Sequence, residues 1–147
     1  MAKDFFSKEE QEQIVASIKA AEKNTSGEVQ VHVEEYCKKE PMERAKDVFA
    51  SIGMHKTELK NGVLFYLAVK DKKFAILGDS GIDKVVPAHF WDIIKDQMTI
   101  LFKAGNICVG LCDGILKAGE QLTAHFPYQS NDANELSDEI SFGKSES

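Results

Sequence analysis

The residues whose types could do chemistry sit in three short stretches: "TSGE" (Thr25 to Glu28), "NG" (Asn61, Gly62) and "GDSG" (Gly78 to Gly81), the last followed by Asp83 and Lys84. The carboxylates of Glu28, Asp79 and Asp83 are hard oxygen ligands of the kind Ca²⁺ or Mg²⁺ takes. A divalent ion held there would polarise a phosphate and activate water. Asn61, Ser80 and Lys84 are the candidate ligand-binding residues beside it: Lys84 adds positive charge and Ser80 positions a substrate. No catalytic residue stands out. GDSG is not a serine-protease signature, because Ile82 replaces the next glycine and a triad needs geometry rather than a tetrapeptide. It is one residue short of a Gly-x-Ser-x-Gly nucleophile elbow. Its plain structural reading is a strand ended by Gly78 and a helix capped by Ser80, with Asp83 as the reciprocal partner.

The elements that must position these residues follow from periodicity. "SKEE" is a capping box that opens a helix over Ser7 to Lys23, with Ile14, Val15, Ile18 and Ala21 as its apolar stripe. Val29, Val31 and Val33 alternate with Gln30, His32 and Glu34, the period of a half-buried strand. Pro41 suits the first turn of a second helix, which Gly53 ends. Val63 to Val69 is almost wholly apolar, so it is expected to be covered on both faces. Lys73 to Leu77 returns from it through a tight turn. A short helical segment, a helix from about Ala88 to Lys103 and a last helix from about Ile107 to His125 complete the order, and Pro127 stops the chain's final helix.

A strand–helix–strand crossover makes the first two strands parallel, and the hairpin adds a third, antiparallel one. The expected fold class is α/β: a three-layer α/β/α sandwich around a small mixed sheet of two parallel strands plus an antiparallel hairpin strand. Strand direction then gathers TSGE, NG and GDSG at one rim. The opposite edge, where open parallel sheets usually bind ligands, holds Glu34, Glu35, Lys70, Asp71, Lys72 and Lys73.

Composition narrows the function classes. The chain has 147 residues, 43% of them hydrophobic, and a net charge of -6. That length favours one domain, and the acidic balance argues against nucleic acid. Arg44 is the only arginine, so a site of bidentate Arg–phosphate forks is not expected. The N-terminus lacks an apolar signal region, and no run is long enough to span a bilayer. Three cysteines read as reduced thiols, so a cytoplasmic location is expected, with no membrane partner. Cys108 and Cys112 read as small core hydrophobes, Cys37 as a surface-loop thiol, and His32 as exposed or locally hydrogen-bonded. Residues 127–147 carry five acids and one lysine and read as an acidic, flexible tail. Within it Leu136 to Phe142 is a candidate partner-binding peptide.

"TSGEVQVHV", "NGVLFYLAVKDKKFAILGDSGID", "IIKDQM" and "FKAGNICVGLCDGI" occur in the order of a known family, and over residues 5–126 the chain resembles the TPM domain. That family includes a thylakoid lumen phosphatase-like protein, a photosystem repair factor and a receptor modulator. The resemblance implies an α/β sandwich with an acidic cleft, divalent-metal binding and, for some members, acid phosphatase activity; others resemble non-enzymatic assembly factors. Gly27, Glu28, Asn61, Gly62, Gly78 and Gly81 match the family pattern. Gly105 with Asn106 stands where the family has Gly-Asp, which would weaken a metal site if that carboxylate belonged to it. Two functions stay open: a non-enzymatic protein-binding or assembly module, engaging a protein partner through the tail, and a metal-assisted phosphomonoesterase. The chain lacks Cys-x5-Arg, Asp-x-Asp and Arg-His-Gly phosphatase motifs.

Overall fold

The computed structural model describes residues 2–128 and 139–143. Helix α1 (Lys8–Glu22) begins at the expected capping box: Ser7 Oγ accepts from Glu10 N, and Glu10 Oε1 accepts from Ser7 N. Strand β1 (Glu28–Glu34) leads to α2 (Pro41–Ser51), with Pro41 in its first turn. Strands β2 (Gly62–Ala68) and β3 (Lys73–Gly78) form the hairpin. Lys72, at φ 55°, takes the left-handed turn position that glycine or asparagine usually fills. A four-residue α3 (Ser80–Asp83), then α4 (Phe90–Lys103) and α5 (Ile107–His125), follow. A two-residue β4 (Ser141–Phe142) ends the described chain.

The sheet order is β3-β2-β1-β4. β1 pairs parallel with β2 in the register Glu28↔Gly62 to Glu34↔Ala68, and β2 pairs antiparallel with β3. Val29, Val31, Val33, Val63, Phe65, Leu67 and Ile76 face a core shared with Ile14 and Ile18 of α1, Ile94 and Met98 of α4, and Leu111, Ile115 and Leu122 of α5. Leu64, Tyr66, Ala68 and Ala75 face a second core with Ala45, Val48 and Phe49 of α2 and Met54. Helices thus lie on both sides of an open mixed sheet, as expected. β2 is buried along its whole length, which explains its unbroken apolar sequence.

Two expectations change. β1 is buried on both faces, not half-buried, so Gln30, His32 and Glu34 are interior polar residues. Residues expected in a mobile tail form β4, parallel to β1 with His32↔Ser141 and Val33↔Phe142. Residues 129–138, including Leu136 of the candidate partner peptide, lie outside the described residues.

α1 and α5 approach closely at Gly119, where an added Cβ would stand 2.6 Å from Ala21 Cβ and 2.7 Å from Ala21 Cα. Gly119→Ala gains helix propensity of up to about 1 kcal/mol, but it must push a backbone aside. The expected result is net destabilisation of roughly 1–3 kcal/mol by urea denaturation.

Candidate functional site

The three glycine-bearing corners meet at one rim. Glu28 N donates to Asn61 O at 3.4 Å, Asp79 N donates to Gly62 O at 2.9 Å, and Gly81 N donates to Lys60 O at 2.7 Å. Asn61 Nδ2 donates to Ser26 Oγ at 3.4 Å. Gly81 must be glycine: an added Cβ would lie 2.1 Å from Leu59 O, a backbone atom. The first corner is also pinned to the end of α5. Thr25 Oγ1 donates to Leu122 O at 2.9 Å and is bonded to Phe126 O, while Gly27 N donates back to Thr25 Oγ1 at 3.0 Å.

The side chains at the rim are already largely engaged. Asp79, not Ser80, caps α3: its Oδ1 accepts from Ser80 N at 2.7 Å. Its position immediately before the helix lets the carboxylate reach the first free amide, whereas Ser80 is already helical and exposed. Asp83 accepts from the Trp91 indole N–H at 3.0 Å. Lys84 is exposed, and Asn61 and Glu28 are each 2% exposed. Asp79 Oδ2 is buried with no hydrogen-bond partner among the described residues. Glu28, Asp79 and Asp83 therefore share a rim without forming a common ligand set. Among the described residues no group of three or more His, Cys, Asp or Glu side chains is arranged to hold a metal ion. The Gly105–Asn106 turn has no bearing on this rim. It precedes Ile107, which shares a cavity with Val69 and Lys72 at the opposite end of β2.

That opposite end holds a polar centre that periodicity did not reveal. Glu34 is fully buried. Its carboxylate accepts from Arg44 Nε at 3.1 and 3.2 Å and from Arg44 Nη2, and from Tyr66 Oη at 2.6 Å. His32 Nε2 lies 3.1 Å from Glu34 Oε1, and the His32 ring stacks on Tyr66 at 6.1 Å between centroids. Burial acts to raise the Glu34 pKa, but the hydrogen bonds from His32, Arg44 and Tyr66 outweigh it and lower the value to about 2. Burial and the neighbouring Cys37 and Glu34 push the Tyr66 phenol well above its ordinary value, so it stays a donor. Several other charges at this end also find partners: Lys70 pairs with Glu35 at 2.6 Å, Cys37 N donates to Asp71 Oδ2 at 2.7 Å, and Lys73 Nζ donates to Cys37 O at 3.2 Å. Cys37 is buried rather than a surface thiol, its Sγ 3.2 Å from Lys39 O. His32 is hydrogen-bonded and buried. Cys108 is buried as a core residue, and burial beside Cys112 pushes its thiol up to about 12. The sequence signal for this centre was an acid closing a valine strand and one arginine ten positions later; it needed Tyr66 and Ser141 brought from far along the chain.

The fold agrees with those of known proteins. The TPM domain family model matches residues 2–121. The chain belongs to the TPM domain family. The NMR structure of the BA42 protein from the psychrophilic bacterium Bizionia argentinensis is similar, with 47% sequence identity, a TM-score of 0.87, and 95% of this chain and 96% of that one covered. The N-terminal domain of a P. gingivalis protein, solved in solution by NMR, shares the fold at 19% identity and TM-score 0.67, over 84% of this TPM chain and 82% of that one. A comparison with curated proteins returned no match. Among the described residues no helix is long and apolar enough to cross a membrane.

The lowered pKa of Glu34 fixes the sign of its pH effect. The carboxylate stabilises the fold fully above its ordinary pKa of 4.5, and that contribution is lost as pH falls through about 2. Glu34→Gln leaves Arg44 without its counter-charge and is expected to cost roughly 3 kcal/mol at pH 7. The variant's deficit should shrink as pH falls from 4.5 towards 2, read by denaturant titrations across that range. At the rim, Gly81→Ala is expected to cost more than about 2 kcal/mol in the same measurement.

Proposed function

We propose that this TPM domain is a non-enzymatic protein-binding or assembly module. The observation that carries the reading is the commitment of Arg44, the one arginine, to Glu34 at the end of the sheet away from Glu28, Asp79 and Asp83. Phosphoryl transfer rests on positive charge placed around the transferring group. At the rim that charge would have to come from lysines such as Lys60 and Lys84 and from a divalent ion. Among the described residues no hydrogen bond joins the Ser80 side chain to a histidine or lysine, and Asp83 accepts from Trp91.

The rim fits Ca²⁺ or Mg²⁺ only weakly. Asp79 Oδ2 is a ready oxygen ligand, while too few carboxylates converge to close the coordination shell. Dissociation constants near the millimolar end of the range for oxygen sites, roughly 10⁻⁴–10⁻³ M, are expected in an amide-shift NMR titration, and Asp79→Asn should abolish the shifts.

The rival reading, a metal-assisted acid phosphatase, makes the opposite forecast in one assay. Hydrolysis of p-nitrophenyl phosphate is measured with and without Ca²⁺ or Mg²⁺, in wild type and in a Glu28→Ala/Asp79→Ala double variant. The module reading expects no turnover above the double variant under any condition. Metal-dependent turnover lost in the double variant would establish the phosphatase instead.

A further inference from the structure

We infer that the outer edge of β1 at His32 and Val33 is an acceptor site for an extended peptide, and that residues 139–143 are its tethered occupant. This rests on the module reading and names the chemistry of the partner. Where β4 pairs with β1, the strand is two residues long, against seven for the β2 ladder on β1's other edge. Gly143 N donates to Val33 O at 2.9 Å, and Ser141 Oγ lies 2.9 Å from His32 Nδ1. The side chains alternate as they do in strand addition. Ile140 and Phe142 pack against the core on the α1 side. Ser141 and Gly143 face the buried polar centre instead.

The floor of this site is built without the occupant. Glu34 is held by Arg44, Tyr66 and His32, all within residues 32–66. That fixed floor is also the specificity element. A Cβ on Gly143 would stand 2.6 Å from Glu34 Oε1 and 2.7 Å from His32 Nε2, so only glycine fits there. Ser141 answers the imidazole with a hydroxyl. An open groove of about 410 Å³ continues beside the strand, lined by Lys8, Gln11, Glu12, Val15 and Lys19 of α1 together with Glu139, Ile140 and Phe142. Lys8 and Lys19 outnumber Glu12 on that wall, so it suits an acidic residue ahead of the apolar one. The partner is therefore a protein carrying an extended acid–Ile–Ser–Phe–Gly-like segment, which joins β1 in parallel and displaces the chain's own copy.

The test uses the full chain and a fluorescent peptide of residues 136–145. Gly143→Val should eject the tethered strand while leaving every acceptor residue intact. The expected result is at least ten-fold tighter peptide binding by the variant than by wild type, because the tethered copy competes at high effective concentration in wild type. A peptide carrying the same Gly143→Val change should bind neither chain. Phe142→Ala serves as a second opening variant should Gly143→Val lose its fold. In wild type, the Gly143 amide should exchange with solvent at least ten-fold faster than Phe65 in β2, through local opening. Equal peptide binding by wild type and both variants, no binding by a folded variant, or Gly143 protection equal to that of Phe65 would overturn the inference. A concentration-dependent wild-type dimer lost in Gly143→Val would assign the edge to a second copy and likewise overturn it. Phosphatase turnover would end the module reading but leave peptide binding measurable, so the two failures are separable.

Discussion

A carboxylate removed from water must be paired, and in this protein that requirement falls on Glu34. Its side chain is fully buried at the carboxyl end of β1. Leaving it unpaired would cost several kcal/mol. The structure meets the demand from three elements: the Arg44 guanidinium from α2, the Tyr66 hydroxyl from β2, and the neighbouring His32 ring. One charge thus ties the helix on one face of the sheet to its two central strands. It also uses up the only arginine, and it sets the surface against which Gly143 is laid. The functional reading and the β1 acceptor edge both descend from that one burial.

The two ends of the sheet have different characters for this reason. At the rim of Gly27, Gly62 and Gly81, close backbone packing dominates, and the acids are spent on a helix cap and an indole N–H. At the other end, charges pair with each other. At the rim, no hydrogen bond among the described residues joins Ser80 to a base; at the other end the Ser141 hydroxyl lies 2.9 Å from His32 Nδ1, whose Nε2 faces Glu34. The outer edge of β1 is already engaged, Val29 N donating to Glu22 Oε2 at 2.8 Å and Val33 O accepting from Gly143 N at 2.9 Å, so an added strand would have to replace β4 there.

Much of this was legible in the sequence where the signal was local. The Ser7–Glu10 capping box, Pro41 at the start of α2 and the unbroken apolar run of β2 each declared their own environment. The meeting of TSGE, NG and GDSG followed from strand direction alone. The misread positions of β1 share a cause: alternation shows which residues are polar, not whether water reaches them. Gln30, His32 and Glu34 looked like a solvent face and are interior. Asp79 took the cap from Ser80 because the helix starts one residue earlier than the serine suggested. β4 lay hidden in a Ser/Asn-rich acidic segment, since two residues of strand carry no periodicity and their reason for docking, a glycine-shaped space over Glu34, is made by distant residues.

The most direct test of this account is a carboxyl-carbon NMR titration of Glu34 in the intact chain. The expected midpoint is about 2, with the acid form appearing only as the fold is lost. A midpoint close to the ordinary 4.5 would mean that Arg44, Tyr66 and His32 do not hold the charge, and the constraint on which the fold's polar centre and its acceptor edge rest would be gone.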